Sequence, residues 1–240
     1  MKRNALEHSK SAEVQVMHPV LMAFPEDIKR VISSLAKKTF LDQRDAPPKG
    51  HLYFLTSGVL GIFARGHPVC SGLIVPGSVH GWETLLDEGE WRETRALLPC
   101  EGFSVPLEPL RKALSDPWMF RFLAVHAVAR TRDAATEASC NAIHTASQRT
   151  AKWIMRLHRA VTDPKGILIT QARLAEILGF QRTSINASCG YLKDRGAIEI
   201  RRGRVVVTDV EKLRAICCSC DTHREPVRRP LHRQPEPMRA

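Results

Sequence analysis

The segment from Thr170 to Ile185 constrains the fold of this chain most strongly, because its small residues have the spacing of a helix-turn-helix. Two helices that meet at roughly 90 to 120° across a short turn need a small residue where they touch. They also need a turn residue that tolerates positive φ. Ala175 meets the first requirement and Gly179 meets the second. Gly196 stands where a left-handed residue would end the second helix.

Apolar residues recur at helical spacing through this segment, which predicts one buried face shared by both helices. They are Leu174, Ile177, Leu178, Ile185 and Leu192. The start of the second helix is polar instead, with side chains of the types that hydrogen-bond to base edges and phosphates in a DNA major groove. The predicted DNA contacts there are Gln181, Arg182, Thr183, Ser184 and Asn186. Thr170 is predicted to cap the first helix and to contact DNA as well.

Two short β-rich runs, 197–200 and 205–208, follow the second helix and surround a turn that contains glycine, which predicts a hairpin. The tip of this hairpin carries Arg201, Arg202 and Arg204, which suit contact with phosphate. The whole arrangement predicts a winged helix-turn-helix that reads DNA. The alternative is an ordinary helical hairpin with a solvated basic loop, because small-residue matches to this motif also arise by chance.

The distribution of charge supports the DNA-binding interpretation independently of the motif. The chain has 36 basic and 25 acidic residues, for a net charge of +11. Residues 147–220 hold 14 basic and 6 acidic residues, or +8, whereas residues 1–146 hold 17 and 16, or +1. A near-neutral body joined to a basic module is the pattern expected of a protein with one DNA-binding end.

Composition excludes several other classes. No apolar run approaches the ~18 residues of a membrane span, and the polar first ten residues do not predict export. The 7 cysteines are unevenly spread and do not form a disulfide framework, so a reducing cytoplasm is the expected location. An enzyme is not predicted, because Gly-x-Ser-x-Gly, His-Glu-x-x-His and a phosphate-binding glycine loop are all absent from the sequence.

The first half of the chain has the pattern of a small antiparallel β-roll. Eight of the 14 glycines fall between Gly50 and Gly89, where they separate short β-rich runs. The predicted strands are Leu52 to Leu55, Val59 to Ala64, Val69 to Val75, Thr94 to Leu98 and Gly102 to Val105. Short helices are predicted at about 25–36 and 107–114. Residues 1–19 are predicted to be flexible, so that the roll spans 20–116.

A single long helix is predicted over residues 117–143, because neither Gly nor Pro occurs from Trp118 to Ile143. Mostly small residues recur along it in alternating steps of four and three, which favours close packing against a second copy. This predicted dimer seam consists of Phe120, Ala124, Ala127, Thr131, Ala134 and Ala138. The alternative is that the seam lies against the roll. The opposite face, with Leu123, Val125 and Val128, is another candidate for that contact.

The order of roll, long helix and winged helix-turn-helix resembles the Crp/Fnr superfamily of bacterial transcription regulators. The similarity is strongest over 170–179 and 201–207, with further matches at Tyr53-Phe54, Ser57-Gly58-Val59 and 140–153. It implies an α+β fold with a roll like that of cyclic-nucleotide-binding domains, followed by the dimerisation helix. A winged helix-turn-helix domain at 144–216 completes it. Residues 217–240 are predicted to hold a cysteine cluster and a disordered tail, because residues 221–240 are rich in proline and arginine and have few apolar side chains.

The same resemblance implies a homodimer that binds an inverted repeat in double-stranded DNA, with RNA polymerase as a partner. Arg182 stands where the family places an arginine that reads guanine. Thr183 occupies a position that is often glutamate, and Ala187 replaces a later arginine. We therefore expect a half-site that differs from the best-known one of the family.

The cofactors of the family are not predicted here. Members that bind a cyclic nucleotide carry a Gly-Glu pair and a later Arg-Ser/Thr pair, whereas this chain has Gly81-Trp82-Glu83, with Arg92 and Arg95 each followed by another residue type. Members with an iron-sulfur cluster group cysteines near the N-terminus, but the first cysteine here is Cys70. Lone histidines such as His51, His67 and His80 give little support for haem.

Cysteines also cluster behind the wing, at Cys217, Cys218 and Cys220, with His223 three residues on. Three thiols and an imidazole could hold zinc or form a redox switch. Adjacent cysteines, however, place their side chains awkwardly for a single tetrahedron. The expectation is therefore reduced thiols without a metal, and the alternative is a redox- or metal-responsive sensor with DNA binding as its readout.

Overall fold

The computed structural model describes residues 18–85, 92–115, 117–161 and 163–221, so the predicted flexible N-terminus lies almost entirely outside it, as do the tail beyond 221 and His223. The helices are α1 (Glu26–Leu35), α2 (Pro117–Ile143), α3 (Ala146–Ala160), α4 (Gln171–Leu178), α5 (Arg182–Asp194) and α6 (Val210–Ile216). The strands are β1 (Lys37–Leu41), β2 (His51–Ala64), β3 (Cys70–Ile74), β4 (Val79–His80), β5 (Arg92–Pro106), β6 (Ile198–Arg201) and β7 (Arg204–Val207). The α+β fold class predicted from the sequence is confirmed.

An antiparallel sheet forms the N-terminal roll, with β1, β5, β2 and β3 in that order and β4 paired to β2. Where the glycine pattern predicts separate short strands, the structure has two long ones, β2 and β5, which bend at bulges near Ser57. Gly58 allows this bend, since its φ is +85° and a Cβ there would lie 2.1 Å from the carbonyl oxygen of Pro99. The edge strand β1 is not predicted from the sequence, because it is short and begins with two exposed lysines.

The long helix α2 has the predicted bounds and buries one face through Phe122, Leu123, Glu137 and Cys140. All six residues of the predicted dimer seam are exposed on another face. The suggestion that Val125 and Val128 lie against the roll is wrong, because their side chains are 37% and 69% exposed. With 3.6 residues per turn, both project away from the direction of Leu123, which does reach the roll.

The C-terminal domain packs α3, α4, α5, α6 and the β6–β7 hairpin around one core that continues into the roll. Trp153, Leu174 and Ile185 of the domain share this hydrophobic cluster with Phe63 and Leu97 of the sheet. Gln43 of the roll also donates a 2.8 Å hydrogen bond to the carbonyl of Leu168. The helices that follow α2 are therefore held directly against the roll. Within the described ranges, no helix is long and apolar enough to cross a membrane.

Candidate nucleic-acid interface

The helix-turn-helix has the geometry that its small residues predict. The hydroxyl of Thr170 accepts a 3.1 Å hydrogen bond from the Arg173 amide and caps α4. Gly179 ends that helix with φ +68°, and Gly196 follows α5 with the same φ. Ala175 is buried where α4 and α5 meet, as are the five apolar residues predicted to form the shared face. These local expectations are confirmed.

The start of α5 presents the predicted DNA-contacting side chains to solvent. Gln181, Arg182, Thr183 and Asn186 are exposed and Ser184 is half-buried, whereas Ile185 behind them is fully buried. Gln181 makes no side-chain capping bond, so the first amides of α5 have no side-chain cap. Uncapped amides at the start of a helix are well placed to bind a phosphate. The structure thus brings together a polar side-chain surface and a helix end without a side-chain cap.

The wing carries its three arginines in different environments. Arg202 is exposed at the turn, and Arg201 pairs with Glu199 at 2.9 Å on the same strand. Arg204 instead contacts Asp163 and the carbonyl of Gly166, both at 2.8 Å. Arg204 therefore ties the wing to the loop before α4, so its substitution would also loosen that loop. DNA contact by each of these arginines stays a prediction.

A buried ionic cluster joins α2 to α3, and sequence reasoning missed it. Lys152 donates to both carboxylate oxygens of Glu137, at 2.9 and 3.0 Å, and Arg156 Nη1 donates to Glu137 Oε2 at 2.9 Å. The indole of Trp153 donates to Glu137 Oε1 at 3.1 Å. Burial alone would raise the pKa of Glu137, but Arg156 and Lys152 outweigh it and hold that pKa below its usual value. This carboxylate fixes the junction from which the DNA-binding domain begins.

Trp82, which the sequence resemblance places where other members carry a ribose-binding glutamate, is a core residue. It is 3% exposed and lies against the rings of Phe24 and Phe122, with centroids 5.4 and 4.9 Å apart. The neighbouring Glu83 pairs with Arg92 at 2.5 Å, and this pairing keeps the pKa of Glu83 low against the opposing effect of its burial. Arg92, one of the two arginines near a hypothetical nucleotide phosphate, is thus already engaged by a carboxylate.

The histidines and cysteines considered as possible haem or metal ligands lie in different environments. Burial lowers the pKa of His80 to about 4, so this ring is neutral at physiological pH, while His67 is exposed and His51 lies against the carbonyl of Lys49.

Of the three cysteines behind the wing, Cys218 and Cys220 come together with Cys140 and His144, and their ligand atoms lie within 4.8 Å of one another. Cys217 is not in this group but packs against the hydrophobic core. Part of the predicted set is therefore replaced by residues from the end of α2.

Sequence reasoning could have found Cys140 and His144 by their spacing of four residues, which places both on one side of a helix. The missing information was their distance from Cys218, since 78 positions separate Cys140 from that partner. No other group of three or more metal-ligating side chains of this kind occurs among residues 18–85, 92–115, 117–161 and 163–221.

Comparison with known proteins agrees with this architecture. Residues 148–216 match the model of the Crp-like helix-turn-helix domain. No curated protein sequence matches the chain. Among solved structures, a putative Crp/Fnr-family transcriptional regulator from Eubacterium rectale is similar with a TM-score of 0.66 at 14% identity, over 83% of this chain and 98% of that one.

Two further structures extend the comparison. A Crp/Fnr-family transcriptional regulator from Thermus thermophilus has a TM-score of 0.60 at 19% identity, covering 75% of this chain and 97% of its own. The c-di-GMP responsive global regulator CLP from Xanthomonas campestris has a TM-score of 0.57 at 21% identity, covering 76% and 98%. The resemblance noted in the sequence is confirmed: this chain has the fold of the Crp/Fnr superfamily, and its residues 148–216 match the Crp-like helix-turn-helix domain.

Proposed function

We propose that this protein is a transcription regulator that binds, as a homodimer, an inverted-repeat operator in double-stranded DNA. The observation that carries the proposal is the exposed polar face at the start of α5, which is held by a rigid helix-turn-helix and includes Arg182. Arginine reads guanine through two hydrogen bonds in the major groove. The excess of positive charge in the same domain would attract the DNA backbone.

The seam on α2 supports the homodimer. Its six residues are exposed in the single chain, and Phe120 among them is 64% exposed. A large exposed aromatic beside a row of small residues is typical of a helix face that packs against another copy. A two-fold dimer would place two α5 helices in successive major grooves, with half-site centres roughly 34–36 Å apart. Contact with RNA polymerase at such an operator is part of the same proposal.

We further propose that the roll acts without a cyclic nucleotide bound in the family manner. Trp82 fills the core at one of the expected contact positions, and Arg92 is paired with Glu83. A phosphate would therefore have to displace the half-buried carboxylate of Glu83 from its arginine. Calorimetric titration with cyclic nucleotides tests this, and micromolar binding to the roll would contradict it.

The experiment that tests base reading is the Arg182→Ala substitution. Loss of one bidentate base contact should weaken binding to the selected operator by about 1–3 kcal/mol, or roughly 5- to 150-fold. Binding to random DNA should change little, because Arg182 supplies only a small part of the phosphate attraction. Operators would first be selected from random DNA, and both affinities measured by gel shift at fixed salt.

Arg202→Ala is the matched control, since it removes the same kind of side chain from an exposed wing position. Loss of a phosphate contact should weaken binding to the operator and to random DNA equally, and it should reduce the dependence of affinity on salt concentration. Equal losses on both DNAs for Arg182→Ala would refute its role in reading a base.

A metal- or thiol-responsive regulator is a second candidate function. The observation in its favour is that Cys140, His144, Cys218 and Cys220 meet where α2 passes into α3. Gel shifts with and without a thiol oxidant or a metal chelator test it. If neither treatment changes the affinity for the operator, the candidate is excluded.

A further inference from the structure

We propose that Cys140, His144, Cys218 and Cys220 form a tetrahedral zinc site that clamps the C-terminal segment to the junction between α2 and α3. Three cysteines and one histidine are a common ligand set of structural zinc sites. Here the four side chains come from two distant parts of the chain and converge, and among the described residues they form the whole group.

The distances between ligand atoms fit one ion. With Zn–S bonds of about 2.3 Å and Zn–N bonds of about 2.0–2.1 Å, tetrahedral geometry requires S···S separations of about 3.8 Å and S···N separations of about 3.5 Å. The sulfurs of Cys140 and Cys218 are 3.5 Å apart. The sulfur of Cys220 lies 3.5 Å from Nδ1 of His144.

An iron-sulfur cluster does not fit the same space. Thiolates bound to different irons of a cluster must span the cluster itself, whereas all four ligand atoms here lie within 4.8 Å of one another. The ligand set and its spacing therefore favour a single thiophilic ion with tetrahedral preference, which is the chemistry of zinc.

The local backbone arranges these ligands in two pairs. Cys140 and His144 lie one turn apart at the end of α2, where the His144 amide still donates to the Cys140 carbonyl at 3.2 Å. Cys218 and Cys220 flank Ser219 where the 3₁₀ segment Ser219–Asp221 follows α6. With one residue between them, both sulfurs reach the same side, and the adjacent, half-buried Cys217 packs against the hydrophobic core instead.

The surroundings supply support for thiolate ligands. Lys152 is fully buried, and its ammonium donates to the sulfur of Cys140 at 2.9 Å while it also pairs with Glu137. A buried cation that donates to a ligand sulfur favours the thiolate and fixes its orientation. A cavity of about 250 Å³ borders Lys152 and Cys218 on one side of the site.

Binding involves no change of oxidation state. Zinc displaces the thiol protons of the three cysteines to solvent, and the neutral imidazole of His144 donates its Nδ1 lone pair. Because α2 carries the predicted dimer seam and α3 begins the DNA-binding domain, the ion would cross-link the segment after α6 to the junction between them.

Elemental analysis of the full-length protein, purified anaerobically with a reductant, tests the site without any DNA. We expect one zinc per chain, and replacement by cobalt(II) should give the intense visible bands of a tetrahedral complex with thiolate charge transfer. Absence of stoichiometric zinc, acid-labile sulfide with iron, or a Cys140–Cys218 disulfide in its place would each overturn the proposal.

Two variants and one control assign the ligands. Cys220 and His144 are half-buried, so Cys220→Ser and His144→Ala should fold and yet reduce the zinc content from one per chain to near zero. Cys217→Ser should retain one zinc, because Cys217 lies beside the ligands in sequence but outside the cluster. Retention of zinc by Cys220→Ser, or equal loss from Cys217→Ser, contradicts the assignment.

Hydrogen exchange tests the clamp. Removal of zinc by a chelator should increase amide exchange both at 140–145 and at 217–221, and readdition of zinc should reverse it. If amide exchange at either segment is unchanged after the zinc has been removed, the ion does not hold the two segments together.

Discussion

At the scale of single residues, Gly179 has two separable reasons to be glycine. Its φ of +68° lies in the left-handed region, and a Cβ there would approach Cγ2 of Val69 to 2.9 Å. The first reason belongs to the helix-turn-helix alone. The second arises because the loop before β3 in the roll packs against the turn. The turn of the helix-turn-helix is thus also a point of contact between the C-terminal domain and the roll.

Gly179→Ala should therefore destabilise the protein by more than the roughly 1–2 kcal/mol expected of a non-glycine residue in the left-handed region. Gly196→Ala is the matched control, since it has the same φ but only the end of Lys212 at 3.4 Å. Chemical denaturation measures both losses. Adding Val69→Ala should recover part of the loss at Gly179 and none at Gly196. Equal losses of stability in the two glycine variants would show that the Val69 side chain moves aside at no cost in free energy.

At the scale of elements, the junction between α2 and α3 depends on buried charges. Side-chain exposure is 0% for Lys152, 3% for Glu137 and 5% for Arg156. Such a cluster contributes little net stability when complete, because desolvation offsets attraction, but removal of one partner leaves an uncompensated buried charge. The capping box formed by Thr145 and Gln148 starts α3 at the same place, so local and tertiary contacts fix the junction together.

Glu137→Gln should lower the free energy of unfolding by about 3–5 kcal/mol at neutral pH. Because the folded-state pKa of Glu137 is lowered, its stabilising contribution is present at neutral pH and is lost as the pH falls through that pKa. The stabilities of the variant and the wild type should therefore converge in acid. Denaturant unfolding at several pH values measures this. The pair of Lys29 with the exposed Glu26 is the control, where Glu26→Gln should cost less than about 1 kcal/mol.

If Glu137→Gln lowered the free energy of unfolding by the same amount at every pH, the result would contradict this account and indicate a packing defect. A loss no larger than that of Glu26→Gln would show that water reaches the cluster.

At the scale of the whole molecule, the roll and the C-terminal domain share one hydrophobic cluster, while the six residues of the predicted dimer seam are exposed on α2. Each chain is therefore expected to move as one body, and the distance between the two recognition helices of a dimer would be set by packing along α2. Reading an inverted repeat depends on that distance.

Ala127→Asp tests this arrangement, since it places a carboxylate in the middle of the predicted seam. We expect a monomer in sedimentation, and loss of tight binding to a full operator, because each chain then contacts a single half-site. Ser139→Asp is the control, as it is equally exposed but lies about 100° around the helix from the seam. The predicted seam is contradicted if the Ala127 variant stays dimeric, or if both variants dissociate to the same extent.

The sequence by itself determined the features that local patterns encode. Helical spacing from Leu174 to Leu192, the hydroxyl of Thr170 and the glycines at 179 and 196 specify the helix-turn-helix, because periodicity and capping act within a few residues. Glycine spacing predicted the roll, but not the bends that merge its short runs into β2 and β5, since those depend on pairing across the sheet.

Only the tertiary structure decided which distant side chains meet. Cys140 and Cys218 are 78 positions apart, Lys152 and Glu137 belong to different helices, and Trp82 joins the core through Phe24 and Phe122. No local period encodes such pairs, because they arise when whole helices and the sheet pack. The predicted recognition surface could therefore be found from the sequence, whereas the proposed zinc ligands and the buried charges required the packed fold.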